Sequence, residues 1–180
     1  PGTASLIKVA DHLTPLYAKW IMASRLCVVS TVGTEGTDGS PRGDNGPVVR
    51  IKDPKTLLLP DWRGNNRMDT LRNIVADGRI SLMFIVAGSN NVMRVNGKAV
   101  VSVKPDLLGQ FDQRGRQPRS VVVITVAEVY SQCARALMRA KVWASDDESA
   151  DLPTVGELLA EQEAGFDGVE YDAAWGARAA

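Results

Sequence analysis

The chain has 180 residues, 44% of them hydrophobic, enough for one domain with a buried core. Its 21 Lys+Arg balance 21 Asp+Glu, and a net charge of zero argues against nucleic acid or an anionic membrane as main partner. No apolar run reaches membrane-spanning length and no signal-peptide pattern opens the chain, so a reducing cytoplasm is the expected compartment.

Cys27 and Cys133 stand far apart, without metal or disulfide spacing, and are expected as buried free thiols. Thr14-Pro15 predicts a capped helix start with proline in the first turn, running to about residue 24. Residues 25–32 are β-branched and predict a strand, closed by a glycine-rich hairpin connection over 33–39. The return strand covers 40–51 and is interrupted near Gly46-Pro47, because proline cannot donate to a central ladder. A turn at 52–55 and a short strand over 56–59 lead into the segment that carries most of the chemistry.

That segment is Leu59-Pro60-Asp61-Trp62-Arg63-Gly64-Asn65-Asn66-Arg67-Met68-Asp69-Thr70-Leu71-Arg72-Asn73. It reads as a strand end, a turn and a helix opening, with Asn66 as N-cap answered by Asp69. Unpaired N–H groups and the positive end of the helix dipole suit a phosphate there, and Arg67 adds a planar fork of donors. Ser40-Pro41-Arg42-Gly43-Asp44 sets a second arginine beside a glycine that lets a ring approach the backbone. Together these features imply a phosphorylated cofactor. The plainer alternatives are a capped surface helix for Asn66 and Arg67, and a cross-strand ion pair of Arg42 with Asp44 or a neighbour.

Beyond a helix over 68–76, residues 80–86 predict a strand buried on both faces, and 92–103 its alternating partner. A short helix follows to about Phe111, then a loop with Arg114, Arg116 and Arg119 that reads as solvated rather than as part of a ligand pocket. Residues 120–130 predict another apolar strand. Ser131 is placed as the cap of a helix to Trp143, which anchors that helix to the strands. An acidic stretch over 145–151 precedes an amphipathic helix over 154–164, and the tail 166–180 is weakly patterned and expected to be partly flexible. The elements predict a mainly β, α+β domain over 1–165, with strands joined mostly by hairpins into a small antiparallel barrel with peripheral helices. His12, the one histidine, has no Ser or Cys partner in a hydrolase pattern, and no metal site is indicated.

Taken in order, Ser40-Pro41-Arg42-Gly43-Asp44, Asn66-Arg67-Met68-Asp69-Thr70-Leu71-Arg72-Asn73, Met93-Arg94-Val95-Asn96-Gly97, Cys133-Ala134-Arg135-Ala136-Leu137-Met138-Arg139 and Leu152-Pro153-Thr154-Val155-Gly156-Glu157-Leu158-Leu159 resemble a known family. The chain is similar, over about residues 10–165, to the FMN-binding split-barrel flavoproteins of the pyridoxamine 5′-phosphate oxidase type. The resemblance implies a six-stranded antiparallel split β-barrel and a homodimer with FMN at the interface. It implies that the flavin phosphate lies near Asn66 and Arg67. The ring then runs along Arg42, Gly43, Asp44 and the strand end Pro60, Asp61, Trp62. Arg94, Asn96, Arg135 and Arg139 complete the pocket from the partner chain.

The implied activity is an FMN-dependent oxidoreductase acting on a small organic substrate, with NAD(P)H as a candidate electron donor. Alternatives on the same scaffold are a non-enzymatic flavin store or sensor, or a barrel holding deazaflavin F420 or haem. No catalytic side chain is assigned, because a flavin carries its own reactive ring. Two departures count against a vitamin B6 phosphate substrate. Met68 stands where the oxidase has a lysine, and the chain lacks that enzyme's C-terminal Arg-Leu-x-Pro signature.

Overall fold

A computed structural model describes residues 2–64, 66–113 and 115–176. Asn65 of the 59–73 segment, Arg114 of the basic loop and the last residues of the 166–180 tail lie outside them. The chain divides into two compact units, Pro1–Trp143 and Ala144–Ala180.

The first unit opens with α1 (Thr3–Ile7) and α2 (Pro15–Met22). Thr14 caps α2 as its sequence predicts: its hydroxyl accepts from the Tyr17 N–H at 3.3 Å, and Pro15 occupies the first turn. Seven strands follow, β1 (Leu26–Gly33), β2 (Gly36–Gly43), β3 (Arg50–Asp53), β4 (Thr56–Asp61), β5 (Arg79–Ile85), β6 (Val92–Ser102) and β7 (Ser120–Gln132). Helix α3 (Asp69–Ala76) lies between β4 and β5; α4 (Pro105–Leu108) and a 3-10 turn (Gly109–Phe111) lie between β6 and β7. Helix α5 (Arg135–Arg139) closes the unit.

All pairings are antiparallel, in the order β2-β1-β5-β6-β7-β4-β3. Six strands are expected from sequence and seven are present, because the return strand breaks in two. Gly46-Pro47 interrupts it, and the halves join opposite edges, β2 on β1 and β3 on β4. Cys27 and Val29 of β1 nevertheless share one core with Leu57 and Leu59 of β4, together with Leu82, Phe84, Val95, Ile124 and Val129. The sheet therefore curls into a barrel with its seam between β2 and the end of β4. Strand β3 pairs only as far as Leu58, which leaves Leu59, Pro60 and Asp61 facing the seam with no ladder partner among the described residues on that side. A second, smaller cluster on the outside, Leu58, Phe111 and Val121, covers the other face of β4 and β7.

Two boundaries differ from the sequence expectation. Ser131 does not cap a helix, because β7 continues to Gln132, held by the pairs Met93↔Ser131 and Val92↔Gln132. The following helix is correspondingly short, and Ala134 stands at its N-cap without a side-chain bond. Trp143 ties the end of the unit to the turn between β5 and β6, through Nε1 donating to the Ser89 carbonyl at 2.9 Å.

The second unit is a helical hairpin, α6 (Val155–Gln162) and α7 (Gly168–Ala173), the latter inside the 166–180 tail. A capping box starts α6: the Glu157 N–H donates to Thr154 Oγ1 at 3.1 Å, and the Thr154 N–H to Glu157 Oε2 at 2.7 Å. The helices cross where Gly156 and Gly168 bring their backbones together, and the Gly156 N–H donates to Asp172 Oδ1 at 2.9 Å.

Cys27 is fully buried, but Cys133 is exposed just past β7, contrary to the expectation of two buried thiols. Strand pairing has already ended at that position, which leaves the thiol in solvent. Burial pushes the Cys27 thiol up to about 12 from an ordinary 9.0, only partly offset by the Arg42 charge. A thiol reagent at pH 8 should therefore label one cysteine per native chain quickly, at Cys133, and the second only after unfolding. Because the folded thiol titrates higher than the unfolded one, Cys27 contributes stability below pH 9 that is lost as pH rises toward 12. Cys27→Ala should flatten that alkaline loss in melts run across the interval; an unchanged slope would contradict it.

Candidate functional site

The seam is where the sequence-predicted residues meet. Strand β2 brings Arg42 to it, and the end of β4 brings Asp61. Arg42 Nη1 lies 3.3 Å from Asp61 Oδ1, with side chains only 24% and 15% exposed. The plainer reading of Arg42 allows an ion pair with Asp44 or a neighbour, and the pair is made with Asp61. Asp44 accepts from Trp62 Nε1 at 3.3 Å, which holds Trp62 at the seam. Two side-chain links, Arg42–Asp61 and Asp44–Trp62, thus join the barrel's edges across the seam. Arg42 Nε is buried without a partner among the described residues. A donor left unsatisfied beside a cleft marks a place where a ligand acceptor fits.

Three adjoining clefts share Arg42. The first, about 280 Å³, is lined by Asp38, Ser40, Arg67, Asp69 and Thr70 among others. The central one, about 290 Å³, is lined by Asp61, Trp62, Asn66, Arg67, Met68, Leu71, Val101, Val103, Arg119 and Ser120 besides Arg42. The third, about 200 Å³, includes Gly43, Asp44, Pro60 and Trp62. A methyl group built on Gly43 would meet only the Arg25 carbonyl, at 3.7 Å, so close packing within this chain does not itself require glycine there.

The 66–69 corner differs from its sequence reading. Asn66 is not the N-cap of α3: its φ is +61, in the left-handed region that asparagine tolerates, and the helix starts at Asp69. Met68 occupies the cap position and supplies no side-chain bond. The Asn66 side chain is used elsewhere, its Oδ1 accepting from Arg119 Nη1 at 2.9 Å. Arg67 Nε donates to Asp69 Oδ2 at 2.6 Å on an 80% exposed side chain, and the Thr70 hydroxyl donates to Asp38.

These acids decide which cleft suits an anion. Asp38 and Asp69 line the first cleft against Arg42 and Arg67, and they occupy the helix start that the sequence reading gave to a phosphate. The central cleft sets Arg42, Arg67 and Arg119 against Asp61 alone. Leu71, Val101 and Val103 line the same cleft, so it combines cationic and apolar side chains.

Arg42, Gly43, Asp44, Pro60, Asp61, Trp62, Asn66 and Arg67 are therefore gathered within one chain. Arg94, Asn96, Arg135 and Arg139 are not among the residues lining these clefts. Arg94 stacks over its cross-strand neighbour Tyr130 with 5.4 Å to the ring centroid, and Asn96 Nδ2 donates to Glu128 Oε1 at 2.6 Å. Arg135 and Arg139 are exposed on α5. His12 is bonded to its neighbour Asp11 on the surface, whose carboxyl is held at about 2 by His12 and Lys55.

Sequence reasoning missed Ser120, Leu71, Val101 and Val103, and set Arg119 in solvent. Ser120 reaches the cleft through the pairing of β4 with β7, opposite Asp61, which no local pattern in the sequence marks.

No curated protein sequence matches the chain. Among solved structures it is similar to HupZ of Group A Streptococcus, with 21% identity and a TM-score of 0.54 over 66% of this chain and 92% of that one. A Lactobacillus delbrueckii protein, named provisionally as a pyridoxamine 5′-phosphate oxidase, gives 19% identity and a TM-score of 0.53 over 67% of this chain and 95% of that one. At such identities the likeness concerns the fold, a split barrel with peripheral helices. Every strand of the sheet lies within residues 13–133, and those residues match the pyridoxamine 5′-phosphate oxidase family as one continuous segment, so the chain belongs to that family.

Proposed function

We propose that the protein is an FMN-dependent oxidoreductase whose cofactor occupies the central cleft and is enclosed by a second copy of the chain. The observation that carries this reading is the composition of that cleft in a chain of this family: three guanidiniums, one carboxylate and several apolar side chains. A phosphate monoester suits the guanidiniums, whose bidentate contacts add geometry to charge. A fused aromatic ring suits the apolar side chains of Met68, Leu71, Val101 and Val103. Bound FMN would supply hydride and electron transfer. The chain's own contribution is to hold and orient the ring, with Arg42 placing a positive charge and an unsatisfied Nε donor beside it.

Size supports the second copy. A cleft of about 290 Å³ is smaller than most small-molecule sites, which run from roughly 300 to 1,000 Å³. Val103 and Met68, which line it, are 68% and 43% exposed. Apolar residues bordering a shallow cleft are what a partner surface covers. Arg94, Asn96, Arg135 and Arg139 are the residues such a partner would bring, as the family resemblance implies. Both copies give the same surface, so a two-fold dimer would hold two sites.

The test is direct. The purified protein should be yellow, release FMN by mass, and run as a dimer in size exclusion. Anaerobic addition of NADH or NADPH should bleach the flavin. A colourless protein that fails to take up added FMN would overturn the cofactor assignment. A yellow protein that no donor bleaches would replace the enzyme by a flavin carrier, and a yellow monomer would remove the shared site.

A further inference from the structure

We infer that Arg119 and Ser120 form the ligand-selecting corner of the central cleft, Arg119 holding a phosphate monoester and Ser120 bonding the body of the same ligand. This inference rests on the flavin reading above and assigns the separate roles within the cleft that the reading leaves open.

Three arginines line the cleft, and their charges are not equivalent. Arg42 is paired with Asp61, and Arg67 with Asp69. Arg119 bonds a neutral acceptor, the Asn66 amide oxygen at 2.9 Å, and among the described residues no carboxylate pairs with it. Of the three it is the one for which the described residues show no ion pair. Its backbone is nevertheless fixed, since its N–H donates to the Asp61 carbonyl at 2.9 Å. A guanidinium on an anchored backbone, held by one neutral bond, is ready to exchange that bond for a charged one.

Ser120 follows as the first residue of β7, opposite Asp61 in the ladder. It is 5% exposed, lines the same cleft, and its hydroxyl has no hydrogen-bond partner among the described residues. Buried hydroxyls without partners are rare because the group loses water and gains nothing. Its neighbours in β7, Val121 and Val122, are apolar, so packing alone would accept alanine or valine at this position. A ligand atom in the cleft is the partner the inference gives this hydroxyl, which can act as donor or acceptor.

The two residues read different parts of the ligand, so two ligands separate them. FMN and riboflavin share the ring and differ by the phosphate. Full-length wild-type, Arg119→Gln, Arg119→Lys and Ser120→Ala proteins would be titrated with both flavins, following flavin fluorescence, with melts to confirm folding. Arg119→Gln should weaken FMN by about ten-fold or more and leave riboflavin within about two-fold, with Arg119→Lys between it and wild type. Ser120→Ala should weaken both flavins alike, by about five-fold. Equal losses for both flavins in Arg119→Gln, or none, would overturn the phosphate assignment; undiminished binding in Ser120→Ala would overturn the hydroxyl's role. A wild-type protein that binds neither flavin would overturn the flavin reading and this inference with it. Wild-type binding with unaffected variants would overturn the inference alone.

Discussion

Arg42→Ala should both unlock the barrel seam and empty the cleft. Strands β2 and β4 are not ladder neighbours, and the Arg42–Asp61 pair is one of the two side-chain links described across their seam. Removing the guanidinium leaves the Asp61 carboxylate, only 15% exposed, without its cation. Stranding one member of a partly buried pair costs about 2 kcal/mol, less than for a fully buried one. For a chain of this size that corresponds to a fall of roughly 4–8 °C in Tm. Flavin affinity should fall in the same variant by about ten-fold or more, because the lost side chain lines all three clefts. The two effects can be separated. Combining Arg42→Ala with Asp61→Asn removes the stranded charge, so much of the stability should return while binding stays weak. Arg42→Lys should retain part of the charge effect and lose the fork geometry. A single Arg42→Ala variant that melts and binds like wild type would refute both roles.

What the sequence reveals here is mostly local. Thr14-Pro15 announces α2 because both residues act within one turn, and the capping box at Thr154 and Glu157 does so for α6. Gly46-Pro47 announces a break but not its consequence, since nothing nearby says that the two halves join opposite edges of a sheet. Asn66 shows a different limit. Asparagine suits both an N-cap and a left-handed turn, and the sequence offers no way to choose. The structure takes the turn, and Asp69 becomes the first helical residue with Arg67 as its partner. The site residues on β2 and β4 are legible because they fall in two contiguous segments. Arg119 and Ser120 are not, because they reach the cleft only through pairing of β7 with β4, 59 residues away between Ser120 and Asp61. Non-local pairing of this kind leaves no periodic mark in either strand.

The largest stability loss is expected from Gly97→Val. Strand β6 carries a bulge against β7 at Asn96/Gly97, where Asn96 pairs with Glu128 and Gly97 with Val126, leaving Ala127 as the extra residue. A Cβ at Gly97 would run into the Thr125 carbonyl oxygen and carbon, which are backbone atoms of the facing strand and have no rotamer to escape into. The strands would have to part at the most extensive pairing of the sheet, and branching at the new Cβ worsens the clash. Overpacking of this severity costs about 3 kcal/mol, or roughly 6–12 °C in Tm for a chain of this size. Gly46→Ala is the matching control. Its added Cβ meets nothing within 4 Å and its backbone is not left-handed, so its melt should stay within about 0.5 kcal/mol of wild type. The bulge also sets where the rest of β6 lies. Val101 pairs with Val122 only because one residue of β7 is skipped, and Val101 and Val103 line the central cleft. Even a folded Gly97→Ala protein should therefore bind flavin more weakly than its own loss of stability explains, by a few-fold when titrated well below its melting temperature. Flavin binding equal to wild type in that variant would show that the cleft wall does not depend on the bulge.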